Sequence, residues 1–180
     1  LEFKPKSRSA KYEATLQVKD PILEFFRGHP NQDKTIPGPE NLLATVQLDP
    51  GHRDVLLIFQ KNGRARSSPN YSVIAIEDTR QAFPPGRLKI LNTTGVEILG
   101  SVNGSRFRLP DKQISSSVSL PEESARVSIV AQGASRYHLL YRNTLQVDAR
   151  SRALLILRPP SREGSFRIGG HLLLDSESAQ

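Results

Sequence analysis

The sequence predicts an all-β protein built from two tandem immunoglobulin-like β-sandwich units, residues 1–85 and 86–180. Three observations carry that expectation. Short apolar runs recur along the whole chain with Gly, Pro, Asn and Asp between them. No stretch shows the 3.6-residue apolar period over three helical turns. A segment also returns: TVQLDPGHRDVLLIF at 45–59 has its counterpart in TLQVDARSRALLILR at 144–158. The alternative is one larger sandwich in which the duplicated segments supply paired central strands.

In the first half, strands are expected at YEATLQV (12–18), ILEFF (22–26), LLATVQL (42–48), DVLLIFQ (54–60) and YSVIAIE (71–77). YSVIAIE alternates, with Ser72, Ile74 and Ile76 on one face, whereas the unbroken run Val55–Phe59 reads as a strand buried on both sides. Gly28-His29-Pro30, Ile36-Pro37-Gly38-Pro39, Asp49-Pro50-Gly51 and Asn62-Gly63 punctuate these runs. In the second half the expected strands are RLKILN (87–92), VEILGSV (96–102), SRFRLP (105–110), SSSVSL (115–120) and RVSIVAQ (126–132). RYHLLYR (136–142), TLQVD (144–148), ALLILR (153–158), SFRI (165–168) and HLLLD (171–175) complete the set. Asn103-Gly104 between two runs is a two-residue hairpin signal. PEESAR (121–126) is compatible with one helical turn that has Pro121 in its first turn.

The repeat extends beyond the opening pentad. Thr45–Asp49 matches Thr144–Asp148 at an offset of 99, Arg53 falls on Arg152, and Val55–Ile58 falls on Leu154–Leu157. YSVIAIED then parallels SFRIGGHLLLD after a two-residue slip, placing Asp78 opposite Asp175. Each unit has the size of a small sandwich, and Pro84-Pro85-Gly86 is the expected junction, too short for the units to swing freely. Asp49, Arg53, Asp148 and Arg152 are read as structural, the aspartates satisfying turn amides and the arginines pairing with the strand-end carboxylates.

EDTRQAFPPGRLKILNTTG (77–95), followed by the Asn103-Gly104 hairpin and the later RALLIL, resembles uncharacterised predicted exported bacterial β-rich proteins. In these an acidic strand end, an F-P-x-G turn and an N-x-S/T strand recur. The resemblance spans 77–175, implies an envelope or secreted β protein, and brings no activity or functional residues with it.

The totals narrow the chemistry. The chain has no cysteine, which removes disulfides, thiolate catalysis and thiolate metal sites. It begins at Leu1 and holds no methionine, so its natural start is expected to have been removed, by cleavage of an export signal or by trimming. A periplasmic or secreted location follows as the expectation. No run approaches the roughly 18 apolar residues of a spanning helix. Sequons at Asn70, Asn92 and Asn103 are read as incidental.

No catalytic constellation is visible. His29, His52, His138 and His171 are scattered, without HxH or HExxH spacing, and neither a metal nor any other cofactor is expected. GxSxG, SxxK and phosphate-loop patterns are missing, and SSSVS and RIGGH read as strand chemistry. Glu77-Asp78, Glu122-Glu123 and Asp148 are the carboxylates a hydrolase would need, but adjacent strand residues face opposite ways. A non-enzymatic reading is therefore preferred, with a carboxylate-based hydrolase as an alternative.

Charge points elsewhere. The net charge is +7, with an excess of 13 basic over 8 acidic residues in 86–180. Lys61, Arg64 and Arg66 lie in one expected loop, and Arg158, Arg162 and Arg167 in its counterpart, with Arg150 and Arg152 nearby. Lys4, Lys6, Arg8 and Lys11 form a basic arm. Loop arginines grip phosphate or carboxylate by bidentate contacts. The expected partner is an anionic envelope polymer or another envelope protein. A nucleic-acid or polyanion binder is the alternative. Aromatic content of 6% without tryptophan argues against nucleic acid, since Tyr71 and Phe166 read as core or rim.

Overall fold

Alternating and continuous apolar runs form strands almost everywhere they are expected, and the protein is all-β with sandwich-like packing of its sheets. The computed structural model describes residues 13, 21–28, 38–62, 70–120 and 123–176. The expected strand 12–18 lies outside the described residues, apart from Glu13. Among the described residues, helix is limited to a three-residue 3-10 turn, Pro39–Asn41. Two units are distinguished: Leu1–Arg53 with Ile58–Ala75, and Asp54–Leu57 with Ile76–Gln180.

In the first unit, β1 (Ile22–Phe26) and β2 (Leu42–Gln47) pair antiparallel, with Leu23 opposite Val46 and a bulge at Phe25/Phe26. β3 (Val55–Lys61) pairs with β4 (Tyr71–Glu77), and both strands continue into the second unit. Phe25 of β1 meets Phe59 of β3 edge-on, ring centroids 4.9 Å apart. The run Val55–Phe59 is half-buried instead of covered on both faces.

The second unit adds β5 (Arg87–Asn92), β6 (Ile98–Val102), β7 (Ser105–Leu109) and the short β8 (Val118–Ser119). β9 (Ser124–Gln132), β10 (Tyr137–Gln146), β11 (Ser151–Arg158) and β12 (Gly169–Ser176) follow. They form two four-stranded sheets, ordered β10-β9-β6-β7 and β12-β11-β5-β8. The ladders of these sheets are antiparallel except β5 with β11, which run parallel with Ile90 opposite Leu155. One core joins the inner faces: Ile98, Val127 and Ile129 from the first sheet, Leu88, Ile90, Leu155 and Leu157 from the second. β11 is covered on its other face too, Leu154 and Ile156 being buried, as a continuous apolar run in a partly parallel sheet requires.

Local chemistry accounts for the turns. Asn103 and Gly104 take φ of 48° and 88°, closing the β6–β7 hairpin with positive φ at both central residues. Asn103 is also tied to β9: its Oδ1 accepts from the Arg126 amide at 2.7 Å and its Nδ2 donates to the Ser124 carbonyl at 3.0 Å. Gly86 has φ +67°, and its amide donates to the Ser151 carbonyl at 2.9 Å. Asn92 is wholly buried, and its side chain makes four bonds. Nδ2 donates to the carbonyls of Val96 and Leu109, while Oδ1 accepts from the amide and hydroxyl of Thr94.

Three further expectations are corrected. The helical turn over 121–126 does not form in its described part: Glu123 has a left-handed φ of 53°, and Ser124–Arg126 already belong to β9. The separate runs 136–142 and 144–148 merge into β10, because Asn143 stays in the ladder opposite Val127. SFRI (165–168) is not a strand but the end of the β11–β12 loop.

Candidate anion-binding surface

The β11–β12 loop brings the three second-half arginines onto one exposed segment. Arg158 ends β11, Arg162 and Arg167 follow, and all three side chains are exposed, with Glu163 the one carboxylate among them. The loop has internal structure. Gly164 takes φ +76°, the Ser165 amide donates to the Arg162 carbonyl at 3.2 Å, and the Arg167 amide donates to Ser165 Oγ at 3.1 Å. Ile168 is buried in the core, and its amide donates to the Leu140 carbonyl of β10 at 3.2 Å.

Phe166 lies outside that core. It is 63% exposed and stacks on His138 of β10, centroids 4.7 Å apart and rings 10° from parallel. The stack ties the β11–β12 loop to the β9–β10 turn, where Arg136 is also exposed. His138 and Arg136 carry no local signal of this role. The two strands that bring them to Phe166 lie in different sheets, so only the sandwich makes them neighbours.

The remaining expected site residues are placed as follows. Lys61 is exposed at the end of β3. Arg64 and Arg66 lie outside the described residues, as do Lys4, Lys6, Arg8 and Lys11. The repeated aspartates occupy matching turns. Asp49 Oδ1 accepts from the Gly51 amide at 2.8 Å, and Asp148 Oδ1 from the Arg150 amide at 2.7 Å. The Asp49 carbonyl accepts from the His52 amide and the Asp148 carbonyl from that of Ser151, again at the same offset. The repeated arginines diverge. Arg53 is exposed. Arg152 is 14% exposed, with Nη1 3.1 Å from Asp78 Oδ1 and Nη2 on Asp175 Oδ2.

Around Arg152 lies a half-buried polar cluster. Phe83 is buried beneath two cations, with Lys89 Nζ 5.0 Å and Arg152 Cζ 5.8 Å from its ring centre. Burial pushes the Lys89 ammonium below its ordinary pKa, an effect that Glu77 and Asp78 oppose. Glu77 Oε1 accepts from Thr79 Oγ1 at 2.9 Å. These carboxylates are therefore held by a guanidinium or a hydroxyl, and Asp148 by a turn amide. His52 lies 3.9 Å from Asp49, His171 sits in β12, and His29 is outside the described residues. Among the described residues no three His, Cys, Asp or Glu side chains group as metal ligands. No helix among them is long and apolar enough to cross a membrane.

No protein-family model matches the chain, and no curated protein matches it either.

Proposed function

We propose that this protein is a non-enzymatic binding module that works outside the cytoplasm and contacts an anionic envelope component through the arginines of its β11–β12 loop. One observation carries the reading: Arg158, Arg162 and Arg167 are all exposed on a single loop anchored by Ile168 and by the Phe166–His138 stack. A loop braced in this way presents guanidinium groups at reduced entropic cost, which favours bidentate capture of carboxylate or phosphate. The matching Asp49 and Asp148 turns support a related origin for the two strand sets, in the immunoglobulin-like manner expected from the repeat.

Phe166 also supplies one stacking platform, the observation that keeps a nucleic-acid ligand in view. One experiment separates these. An envelope extract is passed over the immobilised protein and over its Arg158→Ala/Arg162→Ala/Arg167→Ala variant, with elution by rising salt. Material retained by the native protein, released at moderate salt and missed by the variant supports the loop reading. Glycan or nuclease digestion then identifies the polymer. Equal retention by the variant would sink it.

A further inference from the structure

A second surface emerges from the strand register and has no counterpart in the sequence reading. In the β10-β9-β6-β7 sheet, alternate residues such as Ile98, Val127, Ile129 and Leu145 turn into the core. The residues between them face outward. Register sets these in rows. Leu139, Val130 and Leu99 stand side by side across β10, β9 and β6, with Tyr137 two residues beyond Leu139. The next row runs Arg142, Ser128, Ser101 and Arg106 across all four strands. Arg126 stands two residues further along β9, opposite Thr144.

This face combines apolar exposure with exposed cations. Tyr137 and Leu139 are 59% and 49% exposed. Arg106, Arg126 and Arg142 are exposed, and no carboxylate among the described residues pairs with them. Arg108, on the same face, is occupied by Glu97 at 2.7 Å.

The partner follows from size and chemistry. Strands ~4.8 Å apart and residues ~3.4 Å apart make the face roughly 14 Å across the strands and roughly 20 Å along them, about 300 Å². A stable protein complex needs about 800 Å² from each partner. A hydrophilic polymer would satisfy the arginines and leave the apolar row without a counterpart. An anionic lipid leaflet takes both, since aromatic and leucine side chains enter the headgroup layer while guanidinium groups meet phosphate. The net charge of +7 adds long-range attraction to such a surface.

We infer that the outer face of the β10-β9-β6-β7 sheet docks on an anionic lipid surface, with Tyr137 and Leu139 entering the headgroup layer and Arg106, Arg126 and Arg142 contacting lipid phosphates. The surface is distinct from the β11–β12 loop, so the inference stands or falls separately from the loop reading. The test is sedimentation of the full chain with phosphatidylglycerol/phosphatidylcholine vesicles and with pure phosphatidylcholine vesicles. Binding to the first and not the second is expected. Each arginine near an anionic leaflet is worth about five-fold, so Arg106→Gln/Arg126→Gln/Arg142→Gln should bind roughly a hundred-fold more weakly. The sheet variant should lose far more vesicle binding than the loop variant Arg158→Ala/Arg162→Ala/Arg167→Ala, and an equal or larger loss by the loop variant would overturn the inference. A Leu139→Trp variant, which removes no cation and gives the chain its sole tryptophan, should show blue-shifted emission when they are added. No sedimentation, equal binding to neutral vesicles, unchanged binding by the sheet variant, or unshifted indole emission from the vesicle-bound Leu139→Trp protein would each overturn the inference. So would capture of the face by a soluble acidic protein or polymer in preference to anionic vesicles.

Discussion

Side chains of the same type have different consequences here according to what surrounds them. Asn92 and the duplicated arginines show it best. Asn92 is buried with all four side-chain hydrogen-bonding positions filled, two of them by the carbonyls of Val96 and Leu109. Asn92→Ala strands those acceptors, and a loss of about 3 kcal/mol is expected in chemical denaturation. The sequon at Asn92 gives no hint of this structural role, which only its burial reveals. Arg152 and Arg53 hold the same position in the repeat, yet one neutralises two carboxylates at 14% exposure and the other faces solvent. Arg152→Met should therefore cost about 3 kcal/mol by removing the guanidinium that Asp78 and Asp175 share, while Arg53→Met should stay within about 0.5 kcal/mol. Lys89 gives a pH signature. Its pKa is depressed on folding, mainly by burial, so between that value and the ordinary 10.5 the unfolded chain binds more protons than the folded one. Stability contributed through Lys89 is then lower below the depressed pKa and rises as pH climbs through it. Denaturation of the native protein and of Lys89→Met over an alkaline series should show the native protein gaining on the variant. A constant difference would contradict this.

At the scale of elements, most strands were legible because alternation and turn chemistry are local. The β6–β7 hairpin follows from Asn103-Gly104 alone, as both residues tolerate the positive φ that the turn demands. Where local signals fail, a long-range contact overrides them. SFRI has strand-like composition but is drawn into the core by Ile168 and bonded to β10 by its amide, while Phe166 is turned out onto His138. Asn143 reads as a break, yet the ladder to Val127 carries β10 through it. β3 and β11 share the same apolar pattern and differ in burial, because β11 lies between β5 and β12 while β3, among the described residues, belongs to a two-stranded sheet with β4. That difference is measurable through residues matched at the offset of 99. Leu155→Ala should cost about 2–5 kcal/mol, as for a fully buried leucine. Leu56→Ala should cost visibly less, and equal losses would show that β3 is as well covered as its counterpart.

For the molecule as a whole, the charge excess is a property of composition, and the surfaces that display it are a property of assembly. The sign of the proposed ligand was legible from +7 and from the arginine runs. The loop surface was partly legible, because Arg158, Arg162 and Arg167 are near in sequence. If it acts as proposed, removing those three arginines should flatten the salt dependence of polyanion binding, since each neutralised contact contributes its own counterion release. The sheet face was not legible, because Arg106, Arg126 and Arg142 come from three strands whose adjacency depends on pairing order and register. The sequence alone set the all-β class, most strand positions and the hairpin turn, through backbone preferences and side-chain alternation within a few residues, and the basic character through composition. Which strands are neighbours, including the parallel β5–β11 pair, which aspartates Arg152 contacts, and where exposed cations meet exposed apolar side chains were all settled by tertiary packing. Those outcomes depend on contacts between distant segments, where hydrophobic burial outweighs the chain entropy of bringing them together.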